Sequence, residues 1–208
     1  MDANAPPAAD HAHEAIPRSE LPLDTAQLAR ALIGKVVVRE TVDGVLSGRI
    51  VETEAYPPGD AAGHAFRGKT PANSALFLSR GHAHVYLAYG LSYMLNVSSE
   101  ADGVGGGVLI RALAPLEGVE AMRRNRGVQA LRDLTRGPGR LAAALAIDRR
   151  LDGVDLCRVG PLWLARGLAA APEIGISTRI GITKEADRPL RFYARGDPFV
   201  SGPKALNR

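Results

Sequence analysis

Residues 35–56, KVVVRETVDGVLSGRIVETEAY, constrain the fold more than any other stretch of the chain. β-Branched side chains crowd both sides of Asp43-Gly44. Such side chains lose rotamer freedom in a helix but pack well on a pleated sheet. Asp-Gly between two such arms closes an antiparallel hairpin. A second segment, HAHVYLAYGLSYMLNVSS, repeats the form around Tyr89-Gly90, which places Tyr89 at the hairpin tip. GVLIRAL reads as a further buried strand, and LWLARG and RPLRFYARG as late strands.

Helices are fewer and shorter. In LPLDTAQLARALIG, Asp24 and Gln27 form a capping box, Leu28, Ala31 and Leu32 share one face, and Gly34 closes the element. PLEGVEAMRRNR reads as helical, and RGPGRLAAALAI as a loop entering a helix. The 23 glycines and 14 prolines break the remaining chain into turns and loops, including Pro57 to Asn73, and exclude a helical bundle. The expected fold is a single α/β domain of the α+β kind. A curved, mostly antiparallel sheet is flanked by helices and carries a protruding β-hairpin. Residues 1–20 are rich in Ala, Pro and charge and read as a disordered tail with solvated His11 and His13, leaving 21–208 as the domain.

Charge is unevenly spread. The chain carries +4, and residues 1–20 hold four acids against one base, which leaves +7 on the rest. A basic body suits an anionic partner such as nucleic acid. Cys157 is the single cysteine, so no disulfide forms within the chain, and it reads as a small core residue. No His, Asp, Glu or Cys group has metal-ligand spacing. His82 and His84 read as sheet residues, and neither a metal nor a cofactor is expected. No apolar run of about 18 residues and no leader pattern are present, so the reading is a cytoplasmic, nucleoid-associated monomer without membrane contact.

Strand alternation puts Ile50, Glu52, Glu54 and Tyr56 on one face of GRIVETEAY. Two carboxylates there mean either a solvated face or a site, because buried charge must be matched. His64 follows in the next loop, and four of the five tyrosines lie at 56, 86, 89 and 93. Rings with polar tips beside a carboxylate suit a flat heterocycle. GPGR at 137–140 opens a helix and could meet a phosphate, although glycines at a helix start also serve packing.

Several long strings carry a resemblance. ARALIGKVVVRE, GRIVETEAYPPGDAAGHAFRGKTPAN, VYLAYGLSYMLNVSS, GVLIRALAPLEG, RGPGRLAAALAI and RPLRFYARGDPFVSG stand in order from about Leu28 to Ser201. With them the chain resembles the alkyladenine (3-methyladenine) DNA glycosylase family. The resemblance implies a repair enzyme that binds double-stranded DNA, flips a damaged purine and hydrolyses its glycosidic bond. Glu54 would activate water, with Arg111 holding the water and the carboxylate. Tyr56, His64 and Tyr86 would sandwich the base, Asn96 would sit against its edge, and Tyr89 would fill the gap left in the duplex. Glu52 would be structural. No lysine occupies a matched catalytic position among Lys35, Lys69, Lys184 and Lys204, which implies a monofunctional enzyme. The loops at 57–63 and 103–107 depart from the family pattern and leave the substrate range open.

Two rival readings stand beside this one. A non-catalytic nucleic-acid-binding domain fits the basic body but gives Glu54 and Arg111 no reason to converge. A glycoside hydrolase could use Glu52 and Glu54, since strand neighbours two apart are roughly 6–7 Å distant. Both carboxylates would then lie on one side of a sugar, and Trp163 is the single tryptophan available as a platform.

Overall fold

The computed structural model describes residues 13–167 and 172–203. Helix α1 (Thr25–Ala31) begins at Asp24, whose carboxylate accepts the Gln27 amide at 2.8 Å. That bond satisfies one of the free N–H groups at a helix start. Strands β1 (Val36–Thr41) and β2 (Gly44–Tyr56) form the first hairpin, paired from Thr41 with Gly44 to Val36 with Arg49. β3 (Ala83–Ala88) and β4 (Ser92–Ser98) form the second. β5 (Gly107–Glu117), α2 (Val119–Arg126), α3 (Pro138–Ala144), β6 (Leu162–Ala165), β7 (Ile174–Ser177) and β8 (Arg191–Ala194) follow.

The strands join one sheet in the order β3-β4-β5-β2-β1-β6, with β8 on β2 and β7 on β8. All the pairings are antiparallel. The α+β expectation therefore holds. β2 is thirteen residues long and organises the curvature. Along one edge it pairs β5, while β1 takes residues 44–49 and β8 takes residues 52–54. A sheet that changes partner along one strand must curl, and the result is an open half-barrel.

The register between β2 and β5 slips three times, two of them within residues 50–53. Ile50 faces Leu113, Glu52 faces Ala112 and Thr53 faces Ile110, so Val51 is extra on one strand and Arg111 on the other. Bulges bend a strand and re-aim side chains. They also correct the simple alternation expected for β2. Ile50 joins Val51 in the apolar core, whereas Thr53 donates to the Ala29 carbonyl of α1 at 2.8 Å. Glu52 and Glu54 lie across the strand from that core face.

The disorder expected through residue 20 does not hold for residues 13–20, which pack on the sheet. Ile16 is buried, its amide donates to the Leu164 carbonyl at 2.9 Å, and Trp163 donates to the His13 carbonyl at 3.0 Å. β6 lies at the sheet edge, where open backbone groups invite such an addition. His13 is itself buried, with Nε2 2.7 Å from Glu117, rather than solvated. Residues 1–12, with His11, lie outside the described residues. Among the described residues no helix is long and apolar enough to cross a membrane.

Candidate active site

The two bulges bring Glu52, Glu54 and Arg111 into one buried cluster. Glu54 has no exposed surface. Its Oε2 accepts the Tyr56 hydroxyl at 2.9 Å and lies 3.2 Å from Arg111 Nη1, and its Oε1 accepts the Ile180 amide at 2.7 Å. A buried carboxylate is tolerated only when matched this way. Arg111 also donates from Nε to Glu52 Oε1 at 2.9 Å. Burial opposes the guanidinium charge, but Glu54 and Glu52 outweigh it and hold the arginine more firmly protonated.

Glu52 belongs to a different set. Arg191 Nε donates to its Oε1 at 2.7 Å, and the Ser201 amide donates to its Oε2 at 2.6 Å. Burial pushes this carboxyl up, yet Arg111 and Arg191 prevail and keep it below the usual carboxylate range. Its oxygens are spent on β5, β8 and the segment after β8. That removes the pairing on which the glycoside-hydrolase reading depended.

Beside Glu54 opens a cavity of about 280 Å³, lined by Tyr56, His64, Tyr86, Tyr89, Asn96 and Arg111 among others. Six of the seven residues singled out in the sequence thus line it directly. The seventh, Glu54, stands behind the wall and is bonded to three residues that form it. His64 and Tyr86 pack on each other with ring centroids 4.0 Å apart. Tyr56 has the Arg179 guanidinium 4.6 Å from its ring centre. Burial raises both phenols, that of Tyr86 to about 12 and that of Tyr56 as well, and burial lowers the His64 imidazole. At neutral pH the aromatic walls are therefore uncharged.

The β3–β4 turn carries Tyr89 into solvent. Tyr89 and Gly90 both have positive φ, 52° and 70°, and the Leu91 amide closes the turn on the Ala88 carbonyl at 2.9 Å. A tyrosine rarely adopts that backbone conformation, and its side chain here is 91% exposed. Leu87 and Leu91 are exposed beside it, giving an apolar crest at the cavity mouth.

Four positions escaped the sequence reading. Ile180 contributes only its backbone amide, which no side-chain pattern announces. Arg191 reaches Glu52 from 139 residues away. Arg179 is fully buried, pairs with Asp60 at 2.8 Å and so ties the 57–63 loop beneath Tyr56. His84 was read as a sheet residue. It lies on β3, but it also lines the cavity, its ring is stacked 5.4 Å from Tyr86, and its Nδ1 lies 3.1 Å from Asp152 Oδ1. Lys69 is not among the cavity-lining residues.

His84 also predicts an acid-sensitive fold. Burial, partly opposed by Asp152, lowers its imidazole to about 4. Above about pH 6.5 both folded and unfolded states hold it neutral. As pH falls from there, the unfolded chain takes the proton first, so stability is lost down to about pH 4. The loss amounts to about 3 kcal/mol. Urea midpoints between pH 7 and pH 4 are expected to fall less steeply for His84→Phe than for the wild type.

The comparisons with known proteins agree with the geometry. The family model for "Methylpurine-DNA glycosylase (MPG)" matches residues 19–198. The chain belongs to the methylpurine-DNA glycosylase family. A relative in Mesorhizobium japonicum is 72% identical over 194 residues, covering 93% of each chain. One in Paraburkholderia phytofirmans is 51% identical over 91% of this chain and 89% of its own. Both bear the name "Putative 3-methyladenine DNA glycosylase". Membership of the methylpurine-DNA glycosylase family makes the chain a DNA-repair hydrolase of N-glycosyl bonds, and DNA its substrate polymer. A binding domain without catalysis is set aside.

Proposed function

We propose that the chain, acting as a monomer on duplex DNA in the nucleoid, flips alkylated purines into this cavity and hydrolyses their glycosidic bonds. The observation that carries the reading is the buried Glu54 carboxylate, aligned by Arg111, Tyr56 and the Ile180 amide behind an aromatic cavity. An ionised carboxylate offers about four acceptor sites. Tyr56, Arg111 and Ile180 take three, which leaves Oε1 one direction for a water. Glu54 accepts that water's proton as the C–N bond breaks, and its charge stabilises the sugar's developing positive charge. Arg111 holds the carboxylate in place and contacts the same water.

Base alkylation helps. A 3-methyladenine or 7-methylguanine bears a positive charge while attached to the sugar, so it leaves without prior protonation. Tyr56, Tyr86 and His64 sandwich it, and rings that stay uncharged attract a cation by about 0.5–2 kcal/mol without repelling it. Asn96 lies against the base edge and crowds the 2-amino group of normal guanine. Deaminated purines are neutral and gain less from these rings, so they fit as weaker substrates. None of the cavity-lining residues is a lysine, which supports hydrolysis that leaves an abasic site uncut.

Tyr89 occupies the space that the base vacates. Extruding a base costs a few kcal/mol, and an inserted side chain offsets part of that. Tyr89→Ala is therefore expected to slow release from fully paired duplex about tenfold. It should slow release much less from a duplex carrying the lesion opposite an abasic site. Single-turnover rates on the two substrates make the comparison, and equal slowing on both would remove the wedge role. The reading as a whole is tested by an excision panel of duplexes carrying alkylated, deaminated and normal purines. Release of the alkylated bases ahead of the others supports it, and release of none refutes it.

A further inference from the structure

We propose that His84 reads the 6-amino edge of the bound purine, accepting its N–H through Nε2, and so favours alkylated adenines over 6-oxo purines. The inference rests on the cavity being the purine pocket.

The tautomer follows from the neighbours. His84 Nδ1 lies 3.1 Å from Asp152 Oδ1, which also accepts the Val85 amide at 2.8 Å. The other Asp152 oxygen is 3.4 Å from Arg149 Nη2. A carboxylate paired with arginine and taking a backbone amide only accepts, so the proton shared with it sits on His84 Nδ1. That leaves Nε2 as a lone pair whenever the ring is neutral. The charged and titratable groups around the ring are Asp152, Arg149, His64 and Tyr86, and burial outweighs them in favour of the neutral form.

Nε2 is buried, and no group among the described residues bonds to it. The residue is 1% exposed, yet it is among those that line the cavity. A buried acceptor without a donor is costly, and the cost disappears when whatever fills the cavity supplies an N–H. An adenine attached to its sugar has one such group, the 6-amino. A 6-oxo purine presents an oxygen lone pair at that position, and lone pair meets lone pair. Sites built to hydrogen-bond one group reject the analogue lacking it far better than apolar sites do.

The test is a ratio. Wild type and His84→Phe are given the same methylated duplex, and the single-turnover release rates of 3-methyladenine and 7-methylguanine are measured in one sample. Phenylalanine keeps the ring against Tyr86 and removes the acceptor. The ratio does not depend on the folded fraction. It is expected to fall about fivefold to tenfold in the variant, as for the loss of one hydrogen bond. An unchanged ratio, with both bases still released, overturns the role of His84 and leaves the glycosylase reading intact. Wild type releasing neither base would instead sink that reading. Should His84→Phe be inactive, histidine-¹⁵N-labelled wild type decides the matter with free 3-methyladenine and free hypoxanthine as probes. The unprotonated Nε2 resonance is expected to move upfield with 3-methyladenine and not with hypoxanthine. No movement with 3-methyladenine overturns the proposal.

Discussion

Glu54→Gln is expected to slow base release about a thousandfold while the fold and duplex binding survive. General-base catalysis by a positioned side chain contributes about 10²–10⁴-fold, and an amide cannot take the water's proton. Glu54 also sits where positive charge develops on the sugar, so the neutral isostere forfeits electrostatic stabilisation as well. The local structure changes little. The amide oxygen can keep the Ile180 N–H, and Arg111 keeps Glu52 at 2.9 Å. Stability should therefore fall by only about 1–2 kcal/mol, the cost of one imperfect buried bond. Gel-shift affinity for an alkylated duplex, read beside the single-turnover rate, separates binding from chemistry. A variant that still releases base at the wild-type rate would remove Glu54 from the reaction.

Glu52→Ala is expected to fail in the opposite way, by unfolding. Arg191 is fully buried, and its Nε donates to Glu52. Glu52 also takes the Ser201 amide and Arg111. Its removal takes the carboxylate away from the buried Arg191 and Arg111 guanidinium groups and from the Ser201 amide at once. Breaking a buried pair from one side costs about 3–5 kcal/mol. That is a large share of the roughly 5–15 kcal/mol that holds a domain of this kind together. Thermal melts should show a drop of ten degrees or more. Residual activity below the new melting point should remain far above that of Glu54→Gln. A soluble Glu52→Ala protein with normal melting and no activity would reverse the roles of the two glutamates.

Much of this was legible in the chain because it depends on local pattern. The Val-rich arms about Asp43-Gly44 and the arms about Tyr89-Gly90 are hairpins, and Asp24 does cap α1. Of the cavity residues carried by those strands, Tyr56 and Tyr86 stood out as rings beside a carboxylate, and Asn96 was named through the family resemblance. What was not legible depends on long-range register. The extra residues Val51 and Arg111 become bulges only when β2 and β5 are laid together, and the cluster of Glu52, Glu54 and Arg111 depends on them. The Arg191–Glu52 and Arg179–Asp60 pairs join segments more than a hundred residues apart. Nothing in HAHVY distinguishes a histidine filling a sheet from one with a free nitrogen at a cavity. Composition misled at residues 13–20, where Ile16 and the backbone of His13 dock on β6 despite polar, Ala-rich surroundings.

The most direct measurement of the central claim is the identity and rate of the base set free when wild type and Glu54→Gln are each given one methylated duplex in excess enzyme. Wild type should release 3-methyladenine as the free base and leave the strand uncut, and Glu54→Gln should bind the same duplex and release about a thousandth as fast. Equal release by the two proteins, or none by the wild type, would contradict the account.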